Sequence, residues 1–305
     1  MTPGSTSSNP RPKLSGTPPG GWRGPPPHTT ERIGKRMKTL FKDRYNQDKF
    51  IVGMVHTLAM PGSPMYDRTG GMRKLVKQAK KEAKILRDCG YHSVMYCNES
   101  DMPYMPVMAP ETVAAMTDLV AECQAEIDLP FGINMLIDPI ASISIAHATG
   151  GEFVRCFLTG SYVGDIGHVV PDGARALRLR ADLQAQDIAL ICNVTPGFSI
   201  TLDTRPTPQV ASGAVFLGLA DSVCVSGPAA GREADLSKIA DTAEAVPDTP
   251  VLVGTGVSAE NILRMAEVSD GFIIGSSIKV DGQTLNEVDP RRAEKLMSVF
   301  NKEYA

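Results

Sequence analysis

The stretch VLVGTGVSAENI (251–262) carries two glycines around a threonine where a short apolar run gives way to a helix-start signal. Glycine costs backbone entropy, so a pair of glycines indicates a tight turn, a close packing contact or a ligand lying against the main chain. A similar turn follows the next apolar run, GFIIGSS (271–277). Short apolar runs that end at glycine and precede helical spacing are typical of strands in a parallel sheet.

Eight such runs follow one another from residue 50 onward, and longer segments with helical periodicity separate them. Strands that alternate with helices in this number predict an α/β fold, a single (β/α)8 TIM barrel. A doubly wound open sheet is the alternative, but the sequence lacks a glycine-rich phosphate turn after the first run. The runs are FIVGMVH (50–56), SVMYC (93–97), PFGINML (130–136), FVRCFL (153–158), IALICNV (188–194), SVCVSG (222–227), VLVGTG (251–256) and GFIIGSS (271–277).

Apolar stripes at helical spacing predict the helices between the runs. The segments after residues 137 and 207 carry a weaker helical pattern, and the connections 158–173 and 195–209 carry little of it. Long irregular connections on a barrel often serve as lids or binding loops. The predicted helices are 72–89, 110–127, 172–186, 235–246, 258–269 and 290–304.

Residues 1–47 differ in composition from the rest of the chain. They are rich in Pro, Gly, Ser and Thr, and they hold nine Lys/Arg against two Asp/Glu. Because apolar residues are too few here to form a core, we expect a disordered basic tail over 1–47 and the barrel over 48–305. Organelle targeting by this tail is the lesser alternative, since its early prolines disfavour the amphipathic helix of a transit peptide. A start at Met37 is another alternative.

The composition of the whole chain narrows the class of protein. With 42% hydrophobic and 21% charged residues and a net charge of −3, the chain is typical of a globular protein without a nucleic-acid partner. Its apolar runs are shorter than the roughly 18 residues of a membrane helix, so we expect no membrane span. Six cysteines are scattered without a C-x-x-C pair, which favours reduced thiols and a cytoplasmic location. A homo-oligomer stays open.

The turns after the seventh and eighth runs are candidates for a phosphate site. TIM barrels carry their chemistry at the carboxyl ends of the strands, and these two loops often bind phosphate through backbone N–H groups. Glycine lets phosphate oxygens approach the backbone, and a serine hydroxyl adds a donor; tight barrel packing is the alternative role of the glycines. The predicted phosphate-binding residues are Ser226, Gly227, Gly254, Gly256, Gly275 and Ser276.

Polar residues at three other strand ends are the catalytic candidates. His56 closes the first run, and Glu99 follows the second; an imidazole or a carboxylate at the mouth suits proton transfer. Asn98 and Asn193 stand at the second and fifth strand ends, where an amide would bind a hydroxyl or a carbonyl. A structural histidine and ordinary loop chemistry are the alternatives.

Three more residues are predicted to bind substrate. Asn134 and Arg155 lie inside apolar runs, so each needs a partner if it is buried; for Arg155 that partner is a carboxylate or an anionic ligand. Asp165 belongs to the 158–173 connection and would reach the substrate when that connection closes. Lys279, just after the eighth run, either pairs with phosphate or faces solvent.

No cofactor is evident from the sequence. The five histidines show no H-x-x-H or H-E-x-x-H spacing, and no G-x-S-x-G motif occurs. A weakly held Mg²⁺ at Glu99 or Asp138 stays open.

Several of these stretches, taken together, resemble the BtpA/SgcQ family: GMVHTLAMPGSP, GINML followed by DP, IAHATGGEFVRCFLTGSY, VPDTPVLVGTGVSAENI and DGFIIGSSIKVDG. The resemblance runs from about residue 50 to 300 and implies a (β/α)8 barrel related to phosphate-binding barrels. The photosystem I branch has an acidic-Asn pair where this sequence has Cys97-Asn98, and CNVTP replaces its V-K-H-like stretch. The chain is therefore more similar to the SgcQ branch, which implies carbohydrate metabolism.

These residues together predict an enzyme that acts on a small phosphorylated sugar or nucleoside-like metabolite by acid–base chemistry, as an isomerase, epimerase or lyase. Schiff-base chemistry is disfavoured, since no lysine lies at an inward position of a central strand. A non-catalytic assembly or stability factor of the photosystem I BtpA type and a metal-dependent hydrolase are the alternatives.

Overall fold

The computed structural model of the chain describes residues 40–304 except 198 and 230. Its strands are β1 (Phe50–His56), β2 (Ser93–Cys97), β3 (Phe131–Asn134), β4 (Phe153–Cys156), β5 (Tyr162–Gly164), β6 (Gly167–Val169), β7 (Ala189–Asn193), β8 (Ser199–Thr201), β9 (Ser222–Val225), β10 (Val251–Val253) and β11 (Gly271–Ile274). Its helices are α1 (Leu40–Tyr45), α2 (Gly71–Asp88), α3 (Pro110–Gln124), α4 (Pro139–Thr149), α5 (Gly173–Asp182), α6 (Thr207–Phe216), α7 (Leu236–Ala245), α8 (Ile262–Ala266) and α9 (Pro290–Tyr304).

Eight of these strands form a closed parallel barrel in the order β1-β2-β3-β4-β7-β9-β10-β11. The last strand closes on the first, with Phe50 opposite Gly271 and Gly53 opposite Ile274. The predicted (β/α)8 barrel is therefore confirmed, and the open-sheet alternative is wrong. The two weak helical patterns form α4 and α6, while the predicted helix 258–269 is reduced to the five residues of α8.

The period of two along each strand divides the core into two layers. Outward side chains of the strands pack against the inner faces of the helices, for example against Leu75, Ala79 and Leu86 of α2. Inward side chains fill the barrel with an apolar cluster of Phe50, Val52, Met54, Met95, Cys97, Phe153, Ala189, Ile191, Cys224, Leu252 and Ile273. One step further along the strands, the inward positions become polar, and this change places the candidate site at the carboxyl ends.

Helix α1 closes the amino end of the barrel. The rings of Phe41 and Tyr45 stack on Phe50 with centroids 4.6 Å and 4.5 Å away. Phe50 in turn contacts Phe153 edge-on inside the barrel. Residues 40–45, which belong to the predicted tail, thus form a helix whose aromatic rings stack on β1. Residues 1–39 of the predicted tail lie outside the described residues.

The two connections predicted to be irregular share a small antiparallel sheet. β5 pairs with β6 in a hairpin and with β8 from the other connection, in the order β6-β5-β8. Tyr162 of β5 packs on Phe157 with ring centroids 4.8 Å apart, in an apolar cluster beside the mouth. Because β4 and β7 are neighbours in the barrel, the connections that follow them meet and pair.

Candidate functional site

A cavity of about 660 Å³ opens at the carboxyl ends of the barrel strands. Three of the residues predicted for the site stay outside it. The predicted residues that line it are His56, Glu99, Asn134, Arg155, Asn193, Ser226, Gly254, Gly256, Gly275 and Ser276.

Asn98, Asp165 and Gly227 are the predicted residues that do not line the cavity. Asn98 is buried beneath the loop after β2, where its amide donates to Asp101. Asp165 lies in the turn of the β5–β6 hairpin, because the connection folds into strands instead of a loop that reaches inward. A Cβ on Gly227 would lie 2.0 Å from the Arg232 carbonyl oxygen, so this glycine serves close packing.

His56 presents one bare ring nitrogen to the cavity. Its Nδ1 lies 2.9 Å from the carbonyl oxygen of Thr284, and since a carbonyl only accepts, the proton must be on Nδ1 and Nε2 keeps its lone pair. Burial, reinforced by the charge of Lys279, lowers the pKa of His56 to about 4. A Cβ on Gly275 would lie 3.2 Å from the ring, so this glycine gives the imidazole room.

Arg155 reaches from β4 across the barrel interior. Its Nε donates to the Asn193 side-chain oxygen at 2.9 Å and its Nη2 to the Ser226 hydroxyl at 3.2 Å. A Cβ on Gly254 would lie 2.7 Å from that Nη2 and 2.5 Å from Cys224 Sγ. Both of these hydrogen-bond partners are neutral, and among the described residues the guanidinium forms no ion pair with a carboxylate.

The two glycines of VLVGTG are therefore needed for different structural reasons. Gly254 leaves space for the Arg155 guanidinium rather than for a ligand. Gly256 has φ +73 and a Cβ there would lie 2.3 Å from the Arg232 carbonyl oxygen, so only glycine fits this turn. The N–H groups of Thr255 and Gly256, which both line the cavity, have no acceptor within the described parts of the chain. Two backbone donors at the cavity are thus without an acceptor among the described residues.

Glu99 and Asn134 complete the polar lining beside β2 and β3. The hydroxyl of Tyr104 donates to the backbone oxygen of Glu99 at 2.9 Å, which fixes the loop that carries the carboxylate. Burial raises the pKa of the adjacent Cys97, so its thiol stays protonated. Asn134 is 4% exposed, and its Oδ1 has no hydrogen-bond partner in the described structure. The Oδ1 of Asn98, outside the cavity, is in the same state, so what sets Asn134 apart is that it lines the cavity.

Asp138, considered above as a Mg²⁺ ligand, and Lys279, considered as a phosphate partner, both make other contacts in the structure. Asp138 is the N-cap of α4; one oxygen accepts from Ile140 and Ala141, and the other from the Met108 N–H at 2.7 Å. Lys279 faces neither phosphate nor solvent, because it is buried in an ion pair with Glu82. In the part of the chain that the structure describes, no group of three or more His, Cys, Asp or Glu could hold a metal ion.

Two contacts at the cavity involve residues that the sequence analysis did not predict for the site. Thr284 lies in the loop between β11 and α9, where nothing in the local pattern indicates that its carbonyl meets His56. Thr255 stands between the two glycines, and its hydroxyl accepts from the Gly227 N–H at 2.6 Å. The position of Thr255 in the quoted stretch was a usable signal; the Thr284 contact depends on the tertiary fold alone.

The barrel, its polar mouth and the glycine-rich turns after β10 and β11 define a TIM-barrel protein with a polar cavity at the carboxyl ends of its strands. Comparison with known sequences shows the family: the chain belongs to the BtpA family, whose sequence model matches residues 47–302. The sgc region protein SgcQ of Escherichia coli is 34% identical over 256 residues, 84% of this chain and 96% of the relative. The photosystem I biogenesis protein BtpA of Synechocystis sp. is 30% identical over 253 residues, 82% and 87% of the two chains.

A third relative is an uncharacterized protein of Caenorhabditis elegans whose name places it in mitochondria, 31% identical over 262 residues, 82% of this chain and 92% of the relative. Among solved structures, GGGPS from Thermoplasma volcanium superposes with a TM-score of 0.54 at 12% identity over 88% of this chain and 97% of the other. N-(5'-phosphoribosyl)anthranilate isomerase from Pyrococcus furiosus has a TM-score of 0.50 at 12% identity, with 83% and 99% covered. These structures show the fold alone. No helix among the described residues combines the length and apolar composition that a membrane crossing requires.

Proposed function

We propose that this protein is an enzyme that isomerises, epimerises or cleaves a small phosphorylated sugar or nucleoside-like metabolite by moving a proton next to a carbonyl group. The observation that carries the proposal is Arg155, a cation held by two neutral partners inside the cavity without a carboxylate among the described residues. A half-buried charge of this kind is stabilised when a ligand supplies the anion. Such a ligand has negative charge, either present from the start or developed during reaction.

The two ends of the proposed substrate have different partners. The free N–H groups of Thr255 and Gly256 and the hydroxyl of Ser276 would hold the phosphate, as backbone donors do in other barrels. The carbonyl end would then lie toward Arg155, whose guanidinium stabilises an oxygen that gains negative charge when the neighbouring C–H bond breaks. Asn193 keeps its amide N–H₂ for the same oxygen, because its Oδ1 is already bonded to Arg155.

Glu99 is the proton carrier in this proposal, and His56 has a different role from the one predicted. A neutral imidazole whose pKa is about 4 is a weak base near neutral pH, and its cavity-facing Nε2 carries no proton to give. His56 therefore accepts a hydrogen bond from a substrate hydroxyl and orients it. Glu99 removes the proton from carbon and returns it to the neighbouring carbon for isomerisation, whereas epimerisation requires a second proton donor, such as water, on the opposite face of the substrate.

The proposed setting follows from weaker observations. The six cysteines are free thiols, which supports a reducing compartment such as the cytoplasm. The likeness to SgcQ supports a role in carbohydrate metabolism, whereas the likeness to BtpA supports the alternative, a non-catalytic assembly factor.

The test is proton exchange in heavy water with a panel of phosphorylated aldoses, ketoses and nucleosides. We expect the wild-type protein to convert or deuterate at least one compound, and Glu99→Gln to lower that rate by about 10²–10⁴-fold with unchanged melting temperature. Glu111→Gln is the matched control, since this exposed carboxylate lies in the first turn of α3 outside the cavity. If no compound reacts, the assembly role is supported; if Glu99→Gln keeps full activity, Glu99 is not the proton carrier.

A further inference from the structure

Residues 279–288 form a loop between β11 and α9 whose two ends bind the same buried carboxylate. Glu82 of α2 accepts from the Lys279 ammonium through Oε2 at 2.6 Å and from the Val288 N–H through Oε1 at 3.2 Å. Glu82 and Lys279 are both fully buried, and Lys279 also pairs with Val288 in an antiparallel bridge. One side chain of α2 thus contacts both ends of this loop, whose base is also joined by backbone hydrogen bonds from the Val280 N–H to Glu287 and from the Asp289 N–H to Ile278, both at 2.9 Å.

The tip of the same loop holds His56. The Thr284 carbonyl accepts the His56 Nδ1–H at 2.9 Å, and the Thr284 hydroxyl lies 2.7 Å from the Ser276 hydroxyl. Both Thr284 and Gly282 line the cavity. The 279–288 loop is therefore the element that selects the tautomer of His56.

Helix α2 also forms a hydrogen bond to the main chain of His56. Gln78, one turn before Glu82, donates to the His56 backbone oxygen at 3.2 Å. Gln78 and Glu82 are four residues apart and so lie on the same face of the helix. One helix face thus fixes the backbone of His56 directly and its ring through the loop.

The buried ion pair is poorly explained by stability. Burial raises the pKa of Glu82 and lowers the pKa of Lys279, while their contact acts in the opposite direction on both. Replacing a buried pair by well-packed apolar residues is often neutral or stabilising, so such pairs are weak evidence for stability. A carboxylate with one oxygen on each end of a loop has a geometric role that an apolar pair cannot supply.

We propose that Glu82 is a positioning residue, which closes the 279–288 loop and thereby fixes His56 in the Nδ1–H tautomer with a bare Nε2 toward the cavity. This inference rests on the proposed function in one respect, that His56 accepts a hydrogen bond from a substrate hydroxyl. The charged groups that act on the His56 ring are Lys279, Glu99 and Arg155. Of these, only Lys279 belongs to the loop, so the pair with Glu82 also sets where that positive charge stands.

The experiment is ¹⁵N NMR of ring-labelled histidine in the full chain, with His56 assigned through a His56→Gln variant. In the wild-type protein we expect a protonated Nδ1, an unprotonated Nε2 and no titration of His56 between pH 8 and pH 5. The double variant Glu82→Met/Lys279→Met removes both contacts of Glu82 with the loop without leaving a buried charge unpaired, while the backbone hydrogen bonds at the base of the loop stay. We expect it to mix the two tautomers and to raise the titration midpoint of His56 by about one pH unit or more.

A second variant restores one contact. Glu82→Gln/Lys279→Met returns an acceptor for the Val288 N–H without a charge, and we expect it to recover most of the wild-type tautomer. A double methionine variant that melts like the wild-type protein and keeps a single Nδ1–H tautomer would overturn the proposal, because Glu82 would then have only a packing role.

If the double methionine variant does not fold, a two-glycine insertion after Leu285 tests the other step of the proposal, that the loop sets the tautomer of His56. Leu285 is exposed, so lengthening the loop there leaves Glu82 and the core in place. We expect this insertion to mix the tautomers of His56, and an unchanged tautomer would overturn the proposal. None of these readings requires turnover, so a protein without activity on any phosphorylated compound leaves this test intact.

Discussion

Each end of the barrel holds a histidine whose pKa burial lowers to about 4. His92, at the amino end, accepts the Ile51 N–H through Nδ1 at 3.1 Å, and its ring lies against Phe50 and Phe300. His56, at the carboxyl end, donates through Nδ1 instead and presents Nε2 to a cavity. A lowered pKa therefore does not by itself mark a functional histidine. His56 and His92 differ in whether Nδ1 donates or accepts its hydrogen bond, and in what the other ring nitrogen faces.

The same contrast extends to the groups around each histidine. The amino end is sealed by stacked aromatic rings from α1 and β1. The carboxyl end gathers amides, a carboxylate and a guanidinium that has no ion pair among the described residues around open space. We expect changes at the amino end to alter the free energy of unfolding, and changes at the carboxyl end to alter ligand affinity. Three experiments test this division.

The largest effect is expected from removing the aromatic seal. Deletion of residues 2–46 takes away Phe41 and Tyr45, and loss of their packing on Phe50 should lower the free energy of unfolding by about 3 to 5 kcal/mol. Deletion of residues 2–36 is the control, since that segment has few apolar residues and should leave the melting temperature unchanged. Urea denaturation of both proteins measures the difference. Equal stability of the two deletions would show that α1 is not part of the seal.

An intermediate effect is expected from pH. The pKa of a histidine in an unfolded chain is about 6.5, whereas the pKa of each of these two folded histidines is about 4. Between about pH 6.5 and pH 4 the unfolded chain therefore binds more protons than the folded protein does. The free energy of unfolding should therefore fall as the pH drops through this window, by about 2 to 3 kcal/mol for each histidine, and the contribution should be complete above pH 6.5.

Single variants assign the two parts of this pH dependence. His92→Gln and His56→Gln should each flatten the curve of unfolding free energy against pH by a similar amount, but only His56→Gln should weaken binding of a phosphorylated ligand. An equal loss of affinity in both variants would contradict the division between the two ends.

The smallest effect is expected from one methyl group at the mouth. Gly254→Ala places a Cβ about where Arg155 Nη2 and Cys224 Sγ lie, at 2.7 Å and 2.5 Å, so the guanidinium must move. We expect affinity for a phosphorylated ligand to fall by roughly tenfold, about 1.4 kcal/mol, measured by calorimetry. Gly150→Ala is the matched control: a Cβ there meets no atom within 4 Å, and its left-handed φ of +82 makes the change a cost to stability only. Unchanged affinity in Gly254→Ala would mean that Arg155 does not contact the ligand.

The sequence was sufficient for the barrel because strands buried on both faces appear as uninterrupted apolar runs, and eight of them alternate with helices. The ends of the strands could also be located from the sequence. His56, Glu99, Asn134 and Arg155, chosen for that reason, line one cavity in the structure. Both inferences rest on local patterns whose period is set by backbone geometry. Phe41 and Tyr45 escaped prediction because their partner ring belongs to β1 and the residues around them are polar.

The remaining errors concern contacts between distant residues. Nothing near Gly254 indicates that an arginine from β4 fills the space beside it, and Lys279 meets a glutamate 197 positions away. Asp165 was misplaced because two irregular segments, each without a strand pattern, pair only when β4 and β7 bring them together. Such contacts depend on which elements become neighbours, and a single sequence does not state that.

The small sheet that joins the connections after β4 and β7 has a consequence for engineering. Loops of TIM barrels are commonly treated as parts that can be exchanged one at a time, because each connects its own strand and helix. Here Val163 of one connection pairs with Ile200 of the other, so replacing either alone would leave an edge strand without its neighbour. The two connections form one cassette, and a transplant or a library at this mouth should carry both.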